Sequence, residues 1–155
     1  MGRIYTAQFN AVAVTAQQDL FEINVASTKV VQLLEIHLSQ VSDYGDAQEE
    51  GLAILVKSGA TASGSGGTTP TAVPLELGDA AYSGTVEVNN TTKANTGTIV
   101  THHAFNWNIR VPLDIVFTPE TVKTIAPSGR LTVELATTPA DSITISGYVV
   151  FRELG

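Results

Sequence analysis

The chain contains no cysteine, which excludes disulfide staples, thiolate metal sites and a cysteine nucleophile; at 155 residues a hydrophobic core can hold one domain without staples. Basic residues are scarce as well. Eight Lys and Arg against fifteen Asp and Glu leave a net charge of -7, the wrong sign for a surface that neutralises phosphates, so neither nucleic acid nor an anionic membrane is an expected partner. No apolar run approaches the roughly 18 residues of a membrane-spanning helix. The first residues, MGRIYTAQFNAVAV, alternate small, polar and apolar types without the apolar centre of a signal peptide, and on that reading the chain is expected to be soluble and, by itself, not exported. Charged residues make up only 15% of the chain and aromatic residues 6%.

Thr (20), Val (17) and Ile (10) are abundant, and these β-branched types suit a pleated surface better than a helix. Period-two alternation appears repeatedly: Phe105, Trp107, Ile109 and Val111 against Asn106, Asn108 and Arg110; Leu131, Val133 and Leu135 against Arg130, Thr132 and Glu134; Ile143, Ile145, Val149 and Phe151 against Thr144, Ser146, Tyr148 and Arg152. Phe21, Ile23 and Val25 mark another strand, and Val30, Leu34, Ile36 and Leu38 a further one. Weaker runs at 4–14, 52–58, 84–88 and 98–103 bring the total to eight or nine. This pattern predicts a single all-β domain over 1–155, an antiparallel β-sandwich of jelly-roll type, each strand having one dry and one wet face. Short helical turns are expected at most at Asp46–Glu50, where Asp46 and Glu49 have capping-box spacing, and at Thr118–Ile125. The stretch 58–79, rich in Gly, Ser and Pro, predicts a long loop able to reach a neighbour, and 89–97 a shorter polar one.

No catalytic constellation is legible. His102 and His103 are adjacent and would point to opposite faces of a strand, and His37 stands alone, so no zinc site is expected. Gly64-Ser65-Gly66 lacks the strand-to-helix frame of a nucleophile elbow, and no Gly-Lys-Ser/Thr follows it to make a phosphate loop. Asp43, Asp46, Glu49 and Glu50 could offer oxygens to a hard cation, but their spacing matches no EF-hand and reads as a solvated turn. No enzyme activity, cofactor or metal is therefore expected.

Several stretches together resemble small virion structural proteins of tailed bacteriophages: Gln18-Asp19-Leu20-Phe21-Glu22-Ile23, Ser42 to Glu50, the Gly64–Pro70 loop, Val86 to Thr92 and Ala140 to Gly147. The resemblance implies a capsid decoration or cement protein that binds the major capsid protein and itself, as a homotrimer on the capsid surface after synthesis in the host cytoplasm. A head-fibre or tail component, or a carbohydrate-binding sandwich, is the alternative. The contact residues expected on this reading are Gly2, Arg3, Ile4 and Tyr5, a chain end free to reach a neighbour with Arg3 ahead of the first strand, together with Gly64, Gly66, Gly67 and Pro70 of the glycine-rich loop.

Overall fold

The computed structural model describes residues 2–47 and 49–155. Eleven strands run in the order β1 (Arg3–Val14), β2 (Gln18–Asn24), β3 (Val30–Gln40), β4 (Gly51–Ala60), β5 (Val73–Pro74), β6 (Thr85–Asn90), β7 (Gly97–Asn108), β8 (Leu113–Val116), β9 (Lys123–Ile125), β10 (Arg130–Leu135) and β11 (Ile143–Leu154). They form two antiparallel sheets, β5-β1-β11-β3-β8 with β9 also on β3, and β6-β2-β10-β4-β7. Setting aside β5 and β6 at the sheet edges and β9 beside β8 on β3, the eight remaining strands lie in the order first-eighth-third-sixth in one sheet and second-seventh-fourth-fifth in the other. The two packed antiparallel sheets are the sandwich that the alternation predicted, and this strand order is that of a jelly roll.

The core between the sheets contains Trp107, Tyr5, Phe21 and Phe151 among its largest fully buried side chains. Phe21, Ile23, Ile36, Leu38, Trp107, Ile109, Leu131, Val133, Ile143 and Ile145 are all buried, in line with the sequence pattern, and Phe105 packs against them partly buried. Two expected strand registers shift. In β3 the pairing with β11 slips between Val150 and Phe151, so Val31 and Leu33 face inward before the slip and Ile36 and Leu38 after it, leaving Leu34 half-buried. A bulge adds a residue and moves every later side chain to the other face, which simple alternation does not reveal. In β7 the strand stops at Asn108, whose side chain accepts from Arg110 N (3.1 Å) and whose carbonyl accepts from Val111 N (3.0 Å); the turn carries Val111 out to solvent.

No helix forms among the described residues. At Thr118 a single turn closes, its carbonyl accepting from Thr121 N (3.0 Å) and Val122 N (2.9 Å), before β9 draws the chain back to β3. The capping-box spacing of Asp46 and Glu49 produces no helix either: Glu50 instead accepts from Ala140 N at 2.6 Å, and the Asp46 carbonyl accepts from Arg110. Residue 48 of that segment lies outside the described residues.

Candidate functional site

The β4–β7 connection, residues 61–96, decides which surfaces of the sandwich remain available. Cross-strand pairing sets two rows of side chains on the outer face of the second sheet: Glu87, Glu22, Thr132 and Lys57, and beside them Asn90, Asp19 and Glu134. Such a face would be wet in a bare sandwich, yet Asp19, Glu22, Asn90, Thr132 and Glu134 are all buried. The expectation of one wet face per strand fails for β2 and β10 because the connection folds over them.

Hydrogen bonds hold it there. Gly64 N donates to Glu22 Oε2 (2.9 Å), Gly67 N to Asn90 Oδ1 (3.2 Å) and Ala94 N to Asp19 Oδ2 (2.7 Å), while Ser65 and Thr68 make backbone pairs with Thr92 and Val88. Glu134 pairs with Lys57 and, at 2.9 Å, with Lys93; Arg130 Nε stands 3.6 Å from Glu22 Oε1. Burial pushes the Asp19 carboxyl up to about 6, the Ala94 bond opposing and the nearby Glu134 charge adding to the rise. Glycine is required at two of these contacts: a Cβ on Gly67 would lie 2.1 Å from the Val88 carbonyl oxygen, and Gly66 has φ of 91° with Thr91 Oγ1 2.2 Å from any Cβ. The glycine-rich loop is thus a pinned cover for its first half, and Gly64, Gly66 and Gly67 serve that attachment.

The second half of the same connection meets the N-terminus. Arg3 heads β1 instead of preceding it, pairing with Glu153, while Ile4 pairs with Arg152 and Tyr5 with Phe151. On its other side β1 receives β5, with Tyr5 opposite Pro74 and Leu75 N donating to Ile4 O at 2.9 Å. Arg3 Nε lies 3.6 Å from Asp79 Oδ1, so its charge has a partner within the chain. Tyr5 is fully buried and donates to the Ala80 carbonyl at 2.9 Å, which removes it from any direct contact surface. Tyr82, which the sequence pattern did not single out, anchors the returning segment: its ring packs 5.4 Å from Tyr5 and 4.9 Å from Phe151, and its hydroxyl donates to Asn24 O. Pro70 lines a cleft together with Tyr82. Residues 2–5 and 73–79 therefore form one edge of the molecule, while Gly64 and Gly67 are held over the second sheet by Glu22 and Asn90.

Along that edge Val73, Leu75 and Leu77 are 54%, 59% and 103% exposed. Three exposed apolar side chains thus stand at alternate positions on a two-residue edge strand and the turn that follows it.

The histidines are separated. His37 stacks on Tyr148 (centroids 5.0 Å apart) with Asp114 at 3.7 Å; His103 contacts Phe117 and the Thr121 carbonyl; His102 Nε2 lies 2.7 Å from Ser58 Oγ. Ser58 and His102 supply two members of a hydrolytic triad, but desolvation first, and the charges of Lys123 and His103 next, hold the His102 imidazole below its usual range. A triad places a carboxylate beside the histidine, where it stabilises the imidazolium; a lysine does the reverse. Comparison with protein-family models, with curated proteins and with solved structures finds no match.

Proposed function

We propose that this chain is a non-enzymatic structural protein of a tailed-bacteriophage particle, a capsid decoration protein that binds the major capsid protein and associates with itself as a homotrimer on the capsid surface. The observation that carries the reading is the apolar edge Val73, Leu75 and Leu77, framed by Arg3 and Asp79. A free edge strand invites pairing or cover, and copies arranged around a cyclic axis supply that cover while presenting one loop three times to a lattice of matching symmetry. The low charge of the chain favours the same reading, since surfaces meant to stay soluble alone carry roughly 25 to 35% charged residues. The resemblance to virion proteins supplies the partner. A head-fibre or tail component uses the same surface logic with a different neighbour.

The test is mass photometry followed by co-sedimentation with capsids built from the major capsid protein of the same genome. The wild-type chain is expected as a trimer that pellets with capsids, and Leu77→Asp as a monomer that does not. Removing residues 2–5 would not be a clean test, because it deletes a buried tyrosine and the first pairings of β1. A wild-type chain that stays monomeric and also remains in the supernatant overturns the reading.

A second reading, a carbohydrate-binding module, draws on one place. Tyr148, stacked on His37, lines a cleft with Gln8, Asn10, Ser39 and Ser146 on the outer face of the first sheet, an aromatic ring beside polar groups. Trp107 offers no sugar platform, since it is buried and its Nε1 donates to Val111 O at 2.7 Å. Glycan binding abolished by Tyr148→Ala would favour the module.

A further inference from the structure

We propose that Asp43, Asp46 and Asp141 bind one hard divalent cation, for which calcium is the probe, clasping the β3–β4 connection to the β10–β11 connection. One carboxylate oxygen from each of the three lies within 4.8 Å of the others. Calcium takes oxygen ligands at about 2.3 to 2.6 Å, so oxygens that share one ion stand no more than roughly 5 Å apart, a condition these three meet.

Proximity of acids is common on surfaces and would by itself say little. Asp43 is different. It is only 4% exposed, and its Oδ2 is buried with no hydrogen-bond partner, while Oδ1 accepts from Ser42 Oγ. A buried carboxylate oxygen without a donor is costly, and a cation held jointly with Asp46 and Asp141 would satisfy it. Among the described residues no lysine, arginine or histidine forms an ion pair with any of the three aspartates. The Arg110 guanidinium nearby is engaged by the Asp46 carbonyl oxygen, not by a carboxylate.

The position of Asp43 is built by its neighbours. Its backbone N–H donates to Gln40 Oε1 at 2.8 Å, and buried Gln40 in turn donates to the Ile109 carbonyl at 3.2 Å. Ser42 Oγ accepts from Thr144 N at 2.9 Å, tying the same turn to the start of β11. Glu49 and Glu50 line a cleft of about 420 Å³ with Asp46 and Asp141, leaving space beside the carboxylates for the waters that complete a calcium shell. The sequence spacing of Asp43 and Asp46 matches no calcium loop because the third carboxylate comes from the far end of the chain. The inference does not rest on the capsid reading.

Calorimetric titration of the chelator-treated chain with calcium chloride tests it. Saturable binding of one ion per chain is expected, with a rise in melting temperature on calcium addition. Asp141→Asn, at an exposed position, should weaken binding about tenfold or more without altering the fold, and Asp43→Asn should abolish it. Asp114→Asn, a carboxylate elsewhere on the surface, should bind as the wild type does. Absence of saturable heat up to about 10 mM calcium, a dissociation constant for Asp141→Asn equal to that of the wild type, or equal loss in Asp114→Asn would each overturn the proposal.

Discussion

Glu134 on β10 and Asp114 on β8 both point outward from the middle of the sandwich. Glu134 is buried between Lys57 and Lys93, whereas Asp114 keeps 66% of its side chain in solvent and faces His37 at 3.7 Å. Strand position contributes to the difference, since β10 is central in its sheet and β8 lies at the edge of the other, although both carry a polar residue at an outward position between apolar ones. The cover differs too: residues 64–68 and Ala94 are hydrogen-bonded over the second sheet, whereas the outer face around Asp114 stays open. An identical carboxylate is therefore a structural joint on one side and a solvated surface charge on the other.

The contrast can be broken most directly by deleting each carboxylate. Glu134→Ala leaves two lysines partly buried without their shared partner and is expected to cost about 3 to 5 kcal/mol in chemical denaturation, with Asp114→Ala within about 0.5 kcal/mol of wild type. Equal effects at the two sites would mean that the covered face is not distinct.

Next in size is the pH response of Asp19. Its folded-state value, about 6, lies above its unfolded value, so the folded chain binds the proton more tightly; this contribution is fully present below the unfolded value and is lost as pH rises through 6. Asp19→Asn should therefore gain stability relative to wild type as pH rises from 4 to 7, by an amount on the order of 2 to 3 kcal/mol, while retaining the acceptor for Ala94 N. Denaturation midpoints at several pH values check this, and a pH-independent difference between the two proteins would contradict it.

The smallest expected effect comes from adding a methyl group. Gly67→Ala places a Cβ against the Val88 carbonyl and should cost about 1 to 3 kcal/mol, with faster amide exchange in 64–68 as the cover lifts. At Gly45 a Cβ meets nothing within 4 Å, and Gly45→Ala should be neutral within about 0.5 kcal/mol. A neutral Gly67→Ala would show that the loop is not held where these contacts place it.

Much of the fold was legible residue by residue. The inward set Leu131, Val133, Ile143 and Ile145 follows from period two alone, because a strand has only two faces and one of them must leave water. Leu34 and Val111 departed from the pattern for local reasons, a bulge in one case and the Asn108 turn in the other, each of which changes direction without changing composition. The candidate surfaces were less legible. Gly64 and Arg3 were conspicuous in sequence as loop glycine and early cation, but their partners, Glu22 and Asp79, lie 42 and 76 positions further along or back in the chain.

The sequence by itself determined that this chain is a cysteine-free, acidic, all-β sandwich, because alternation and β-branched composition are properties of short windows in which neighbours in sequence are neighbours in space. The tertiary structure alone decided that the glycine-rich loop is a cover over buried carboxylates, that the N-terminus and residues 73–79 share an apolar edge, and that Asp141 joins Asp43 and Asp46. Each of these meetings depends on which strands pair across the sheets, and hydrogen bonding between distant strands leaves no periodic trace in the residues it brings together.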